Sequence, residues 1–184
     1  MGKLLRKVIF IFAALCIIMI GILFLTDQKI FKLISLICGL ISFHLAIRVY
    51  VGEFIDKIFK NQMNYKLWWF KEHFWEKPLY KLLRVKKWKN HIPTYDPDLF
   101  DITKHTYKEI LMAMCQAEVV HEVNNMLGFV PLIFAFFMPE FFLFLLITCI
   151  FSGMIDSIFV MMQRYNKPRI RRIVDKQEKI ASDT

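Results

Sequence analysis

Residues 8–25, VIFIFAALCIIMIGILFL, carry no charge. Eighteen apolar residues make about the shortest helix that crosses a bilayer. Lys3, Arg6 and Lys7 precede the run, as in a secretory leader. The run is longer than a leader's apolar stretch, however, and the Leu-Thr-Asp-Gln after it is no small-residue cleavage site. An uncleaved anchor is expected. A second run covers 33–51, interrupted only by His44 and Arg48. The third and fourth are fused: 126–162 holds 37 residues, of which only Glu140 and Asp156 are charged. That length suits a helical hairpin turning at Met138-Pro139-Glu140, where a proline and a charge break the apolar pattern.

Between these runs the pattern changes. Residues 54–88 interleave lysines with aromatic and aliphatic side chains, and all four tryptophans lie there. Tryptophan favours the headgroup layer, and lysine stems extend past it, so amphipathic interfacial helices are expected. Residues 91–103, with two prolines and three aspartates, read as a loop. Thr103 is placed to cap a helix that starts near Lys104 and runs through His121 into the third span. The chain is thus expected to be all-α. It reads as one membrane domain over 1–184, with spans at about 8–25, 33–51, 118–137 and 141–162. A segment at 52–117 lies at the interface, and 163–184 forms a basic tail.

Composition sharpens this. Hydrophobic residues make up 57% of the 184 and charged ones 22%. Soluble domains are about 45–50% apolar, so the excess belongs in spans, and disorder is excluded. The net charge of +9 fits an anionic membrane surface. Aromatic and basic residues together also suit single-stranded nucleic acid, but the flanking spans and the lack of a nucleic-acid motif argue against it. Lys and Arg number twelve in 52–117 and seven in 163–184, against only Lys29 and Lys32 in the two opposite loops. The positive-inside rule then places both termini in the cytoplasm of a multi-pass protein. Cys16, Cys38, Cys115 and Cys149 fall one per helix without zinc spacing, and read as reduced and structural.

Ionisable residues inside spans are costly and therefore candidates for function. They are His44 and Arg48, then Glu118, His121, Glu122 and Asn125, then Asp156. Glu118, His121, Glu122 and Asn125 follow an i, i+3, i+4, i+7 spacing and share one helix face. If the hairpin turns near Pro139–Glu140, residues whose numbers sum to about 279 lie at equal depth. His121 is then level with Ile158 and within a turn of Asp156. An imidazole with a carboxylate one turn away, here Glu118, is a general base with an orienting partner. Arginines nearby suit a phosphate, a carboxylate or a developing oxyanion. These are the parts needed to move an acyl group onto a lipid-borne hydroxyl. The competing reading is a structural ion cluster in which Glu118 and Glu122 neutralise Arg48 and Arg164. Bridged-metal chemistry needs a second E-x-x-H, which the chain lacks, so no metal is assigned. His91 and Asp96 fit H-x4-D, but five histidines and eight aspartates produce that spacing readily by chance.

Lys86-Lys87-Trp88-Lys89, Ala117-Glu118-Val119-Val120-His121, a short apolar hairpin and Gln163-Arg164-Tyr165-Asn166-Lys167-Pro168-Arg169 follow in order. This arrangement resembles the glycosyl-4,4'-diaponeurosporenoate acyltransferase family of Gram-positive bacteria over about residues 80–172. In the pathway that names the family, the enzyme esterifies a fatty acyl group onto the sugar of a glycosylated carotenoid. The resemblance implies a bacterial cell-membrane acyltransferase with Glu118 and His121 as the catalytic pair. Gln163, Arg164, Tyr165, Asn166 and Arg169 would contact donor or acceptor. Trp88, Asn125, Glu122, Asp156 and Arg48 complete the substrate-binding candidates. The expected acceptor is a glycosyl carotenoid or related glycolipid among the membrane lipids. An acyl thioester such as acyl-CoA or acyl carrier protein would be co-substrate, with no resident cofactor. The alternatives are a non-enzymatic lipid-binding or assembly protein and, lower, a membrane methyltransferase, for which no nucleotide-cofactor signature is present.

Overall fold

A computed structural model describes residues 2–92 and 96–183. The described residues are helical with no strands. Six α-helices are joined by turns and short 3-10 segments. They are α1 (Gly2–Thr26), α2 (Lys29–Phe59), α3 (Glu76–Leu82), α4 (Val85–Trp88), α5 (Tyr107–Leu127) and α6 (Phe142–Ser182). Four stretches are long and apolar enough to cross a membrane: Gly2–Thr26, Lys29–Phe59, Tyr107–Phe136 and Pro139–Ser182. The chain divides into two compact units, each built from two separate stretches of sequence.

The first unit comprises Met1–Phe54 and Val123–Met154. From Val8 to Leu25 helix α1 is apolar on every face, with Phe10, Ile17, Phe24 and Leu25 exposed and Ile9 buried. A helix that is apolar all round and exposed needs a hydrocarbon solvent. Gly39 admits the Cys16 Sγ to 3.3 Å from the place a Cβ would occupy, and Ser42 Oγ donates to the Ile9 carbonyl at 3.1 Å, so α1 and α2 pack closely. Lys32 is ion-paired with Glu140, and Arg6 with Glu53. The third span is not one continuous α-helix. Helix α5 stops at Leu127, and Val130–Phe136 continues as a 3-10 segment with Pro131 in its first turn. Pro139 opens a second 3-10 turn, Pro139–Phe141, leading into α6, so the chain reverses at the residues where the sequence places the turn.

The second unit comprises Ile55–Glu122 and Ile155–Thr184. Its core is Met63, Tyr65, Phe70, Leu111, Cys115 and Val174. Helix α2 ends where Lys60 and Asn61 take left-handed conformations, φ 49° and 57°. Gln116 secures this end: its Oε1 accepts from the Asn61 N–H at 2.8 Å, and its Nε2 donates to Asp56 at 3.0 Å. The segment 60–91 holds short helices of three to seven residues. The sequence expectation for the start of α5 needs correcting. Thr103 bonds Asp101 instead, and Thr106 caps the helix. The Thr106 N–H and Oγ1 reach Glu109 Oε2 at 2.8 and 3.0 Å, and the Glu109 N–H returns to Thr106 Oγ1 at 3.3 Å. The T-x-x-E spacing of a capping box decides the start. Part of the loop 91–103, and with it the middle of the His91–Asp96 spacing, lies outside the described residues.

Candidate functional site

Within the second unit, α5 and α6 run side by side and carry most of the polar groups. His121, on α5, meets Asp156, on α6: Nδ1 lies 3.0 Å from Asp156 Oδ1. Asp156 is fully buried, whereas the His121 side chain is 23% exposed. The ring stacks on Phe159, with centroids 4.6 Å apart and planes 7° from parallel. A carboxylate on Nδ1 fixes the tautomer that carries a proton there, which leaves Nε2 as a basic lone pair. Among the described residues Nε2 has no partner.

The carboxylate paired with His121 is therefore Asp156, not Glu118. Both are within reach by spacing, but Glu118 is claimed by cations. It is fully buried, ion-paired with Lys167, and 3.5 Å from Arg164 Nη1. Arg164 is committed on every side. Its Nε donates to Glu76 at 3.3 Å and its Nη2 to the Trp69 carbonyl at 2.7 Å. Glu76 is buried in turn and accepts from the Tyr80 hydroxyl at 2.8 Å. Burial, and then that bond, raise the Tyr80 phenol above the ordinary tyrosine range. Lys167 also lies over the Phe70 ring, 4.6 Å from its centroid. Two carboxylates and two cations, nearly dry, thus fasten α5, α6 and α3 together. Buried charges are tolerated only when paired in this way.

The remaining sequence candidates separate by unit. Glu122 accepts from the Trp69 indole at 2.9 Å. Asn166 accepts from Lys89 Nζ at 2.8 Å. Lys89 also lies over the Tyr165 ring, which contacts Tyr80 edge-on. Trp88 spends its indole N–H on the Leu83 carbonyl at 2.9 Å. Gln163 is buried and Arg169 exposed. Arg48 and Asn125 belong to the first unit. Arg48 donates to the His44 carbonyl at 2.8 Å and to Ser152 Oγ at 3.0 Å, and Ser152 Oγ lies 3.0 Å from His44 Nδ1. Asn125 Oδ1 sits 2.9 Å from where a Cβ on Gly153 would stand, so glycine is what lets α6 pass there.

Sequence reasoning missed Glu76, Tyr80, Trp69 and the role of Lys167. Lys167 had a usable signal, since it follows Arg164 by three residues and so shares its helix face. The others come from a segment without periodicity. Two clefts open on this unit. One, of about 520 Å³, is lined by Lys71, Lys77, Arg171 and Arg172 among others, with Glu72 and Asp175. The other, of about 650 Å³, has apolar walls that include Ile110, Met114 and Ile170. Its polar groups are Lys89, Asn90, Gln163, Asn166 and Arg169.

This is an all-α membrane protein with a histidine–aspartate pair on the seam between two long helices. Residues 66–176, more than half of the chain, match the family model described as glycosyl-4,4'-diaponeurosporenoate acyltransferase. The chain belongs to that acyltransferase family. The matched segment begins early enough to include Trp69 and Glu76 as well as the α5–α6 seam. No curated protein and no solved structure matches the chain.

Proposed function

We propose that this membrane acyltransferase esterifies a fatty acyl group onto a hydroxyl of a glycosylated membrane lipid, with His121 as general base. The observation that carries the reading is the His121–Asp156 pair, in which one ring nitrogen is held by a buried carboxylate and the other is left basic. Family membership supplies the reaction class. The acceptor that the family name describes, a glycosyl carotenoid, is the first choice, and other glycolipids carry the same sugar hydroxyl.

The steps balance with an acyl thioester as donor. His121 Nε2 takes the proton of the acceptor hydroxyl as its oxygen attacks the thioester carbonyl. The tetrahedral intermediate collapses by breaking the carbon–sulfur bond, and the imidazolium returns the proton to the departing thiolate. The products are an ester and a free thiol. Asp156 holds the ring orientation and stabilises the imidazolium. Glu118 does not touch the reacting atoms in this scheme. It keeps Lys167 and Arg164 in place and so positions the α5–α6 seam that carries His121. The lysines and arginines of 52–117 and 163–184 support a site on the cytoplasmic side of a bacterial cell membrane, where thioester donors are made.

Comparative lipid mass spectrometry tests the reading. Cells lacking the protein should lose a class of acylated glycolipid and accumulate its deacylated precursor, and the wild-type gene should restore it. An unchanged lipid profile would instead support a non-enzymatic lipid-binding or assembly role.

A further inference from the structure

We infer that the larger cleft of the second unit holds the phosphopantetheine arm of the acyl donor, the part that coenzyme A and acyl carrier protein share. The inference rests on the acyl-transfer reading and names the ligand chemistry of one side of that site.

Four observations lead there. The first is charge. Lys89 and Arg169 line the cleft, and among the described residues neither is paired with a carboxylate, so the polar end attracts an anion. The smaller cleft is less suited. Its Lys71 and Arg172 are likewise without a carboxylate partner among the described residues, but its lining includes two carboxylates, Glu72 on Lys77 at 3.2 Å and Asp175 4.0 Å from Arg171, whereas the larger cleft is lined by none. The second is an amide to spare. Gln163 is 6% exposed and lines the cleft, yet among the described residues its side chain has no hydrogen-bond partner. A ligand carrying amides would offer that side chain both a donor and an acceptor. The arm carries two amides.

The third observation is alignment. Gln163 follows Asp156 by seven residues on α6, and Met114 precedes His121 by seven on α5. Seven residues return to the same helix face after about 10 Å of rise. The cleft therefore lies on the seam that carries the His121–Asp156 pair. The fourth is length. Lys89 meets Asn166, ten residues beyond Asp156 and about 15 Å along the helix. A phosphopantetheine arm has about thirteen bonds from sulfur to phosphorus. Extended, it spans about 15 Å on the scale of roughly 3.5 Å per three backbone bonds. With sulfur at His121, its phosphate reaches Lys89 and Arg169. Direction agrees as well. The apolar run of α6 ends at Met162, so the cleft lies beyond it, on the polar side. A fatty chain dissolves in hydrocarbon and needs no such groove, whereas an arm that ends in phosphate does.

The test uses the full chain in detergent micelles and measures binding of radiolabelled palmitoyl-CoA. Free 4'-phosphopantetheine should displace the label. Pantetheine, which lacks the phosphate, should be at least tenfold poorer. Arg169→Glu should weaken palmitoyl-CoA binding at least tenfold, Gln163→Leu should weaken it severalfold, and Arg169→Lys should restore most of it. Palmitoyl acyl carrier protein serves as the second arm: the carrier that binds more tightly identifies the source of the phosphate. Wild-type binding by both Arg169→Glu and Gln163→Leu would overturn the inference. So would displacement by palmitate but not by 4'-phosphopantetheine, which would place the fatty chain in the cleft, or sensitivity to Lys71→Glu in place of Arg169→Glu. If binding depends on Arg169 but wild-type membranes transfer no acyl group, the arm site stands and the acyl-transfer reading falls. If transfer is robust and Arg169→Glu changes neither binding nor KM, the arm site falls alone.

Discussion

Glu118 and His121 are one turn apart on α5, yet they have different work. His121 reaches Asp156, and Glu118 is held by Lys167 and Arg164. The helix spacing made both visible, because charged groups in a span are rare and a shared face follows from i, i+3. The hairpin register brought Asp156 within a turn of His121 on arithmetic alone. Spacing does not decide which of two carboxylates an imidazole takes. That depends on the cations, and Lys167, Glu76 and Lys89 meet their partners through tertiary packing that no periodicity announces. The ion network makes a prediction at this scale. Glu118→Gln leaves Lys167 buried without its carboxylate and should cost about 3–5 kcal/mol. Combining it with Lys167→Met should recover much of that loss. Thermal unfolding of the two variants in the same detergent checks it, and equal loss in both would contradict the pairing.

Among the elements, the long apolar ones were legible and the short ones were not. Runs with little or no charge fix where α1, α2 and the hairpin lie, since burial in hydrocarbon needs only length and apolarity. They do not fix helix type, so the change from α5 to the 3-10 segment at Val130–Phe136 is set by Pro131 and local backbone rather than by hydropathy. The short helices of 60–91 are held by their contacts with α5 and α6 and carry little signal of their own. The start of α5 is a local matter, and Thr106 governs it. Thr106→Ala should lower stability by about 1 kcal/mol, while Thr103→Ala should have a much smaller effect. Comparing their unfolding midpoints tests the cap, and a larger effect at Thr103 would contradict it.

The whole molecule combines four stretches long enough for a membrane with a charge that is strongly uneven along the chain. If all four stretches cross, the chain returns to its starting side, and the positive-inside rule, applied to the lysine and arginine count, proposes the cytoplasm as that side. Fusions of green fluorescent protein to either terminus should therefore fluoresce, and alkaline phosphatase at either terminus should be inactive. Active phosphatase at one terminus would break the four-span reading. Under the proposed function, a lipid-borne hydroxyl and a water-borne thioester would meet at a histidine near the polar end of the apolar runs.

That meeting is most directly tested by transfer of labelled palmitate from palmitoyl-CoA to membrane glycolipid, with wild type and His121→Ala compared at equal amounts of folded protein. The account predicts that the variant loses transfer on the order of a hundredfold or more, with Asp156→Asn falling in the same direction. Undiminished transfer by His121→Ala would contradict it.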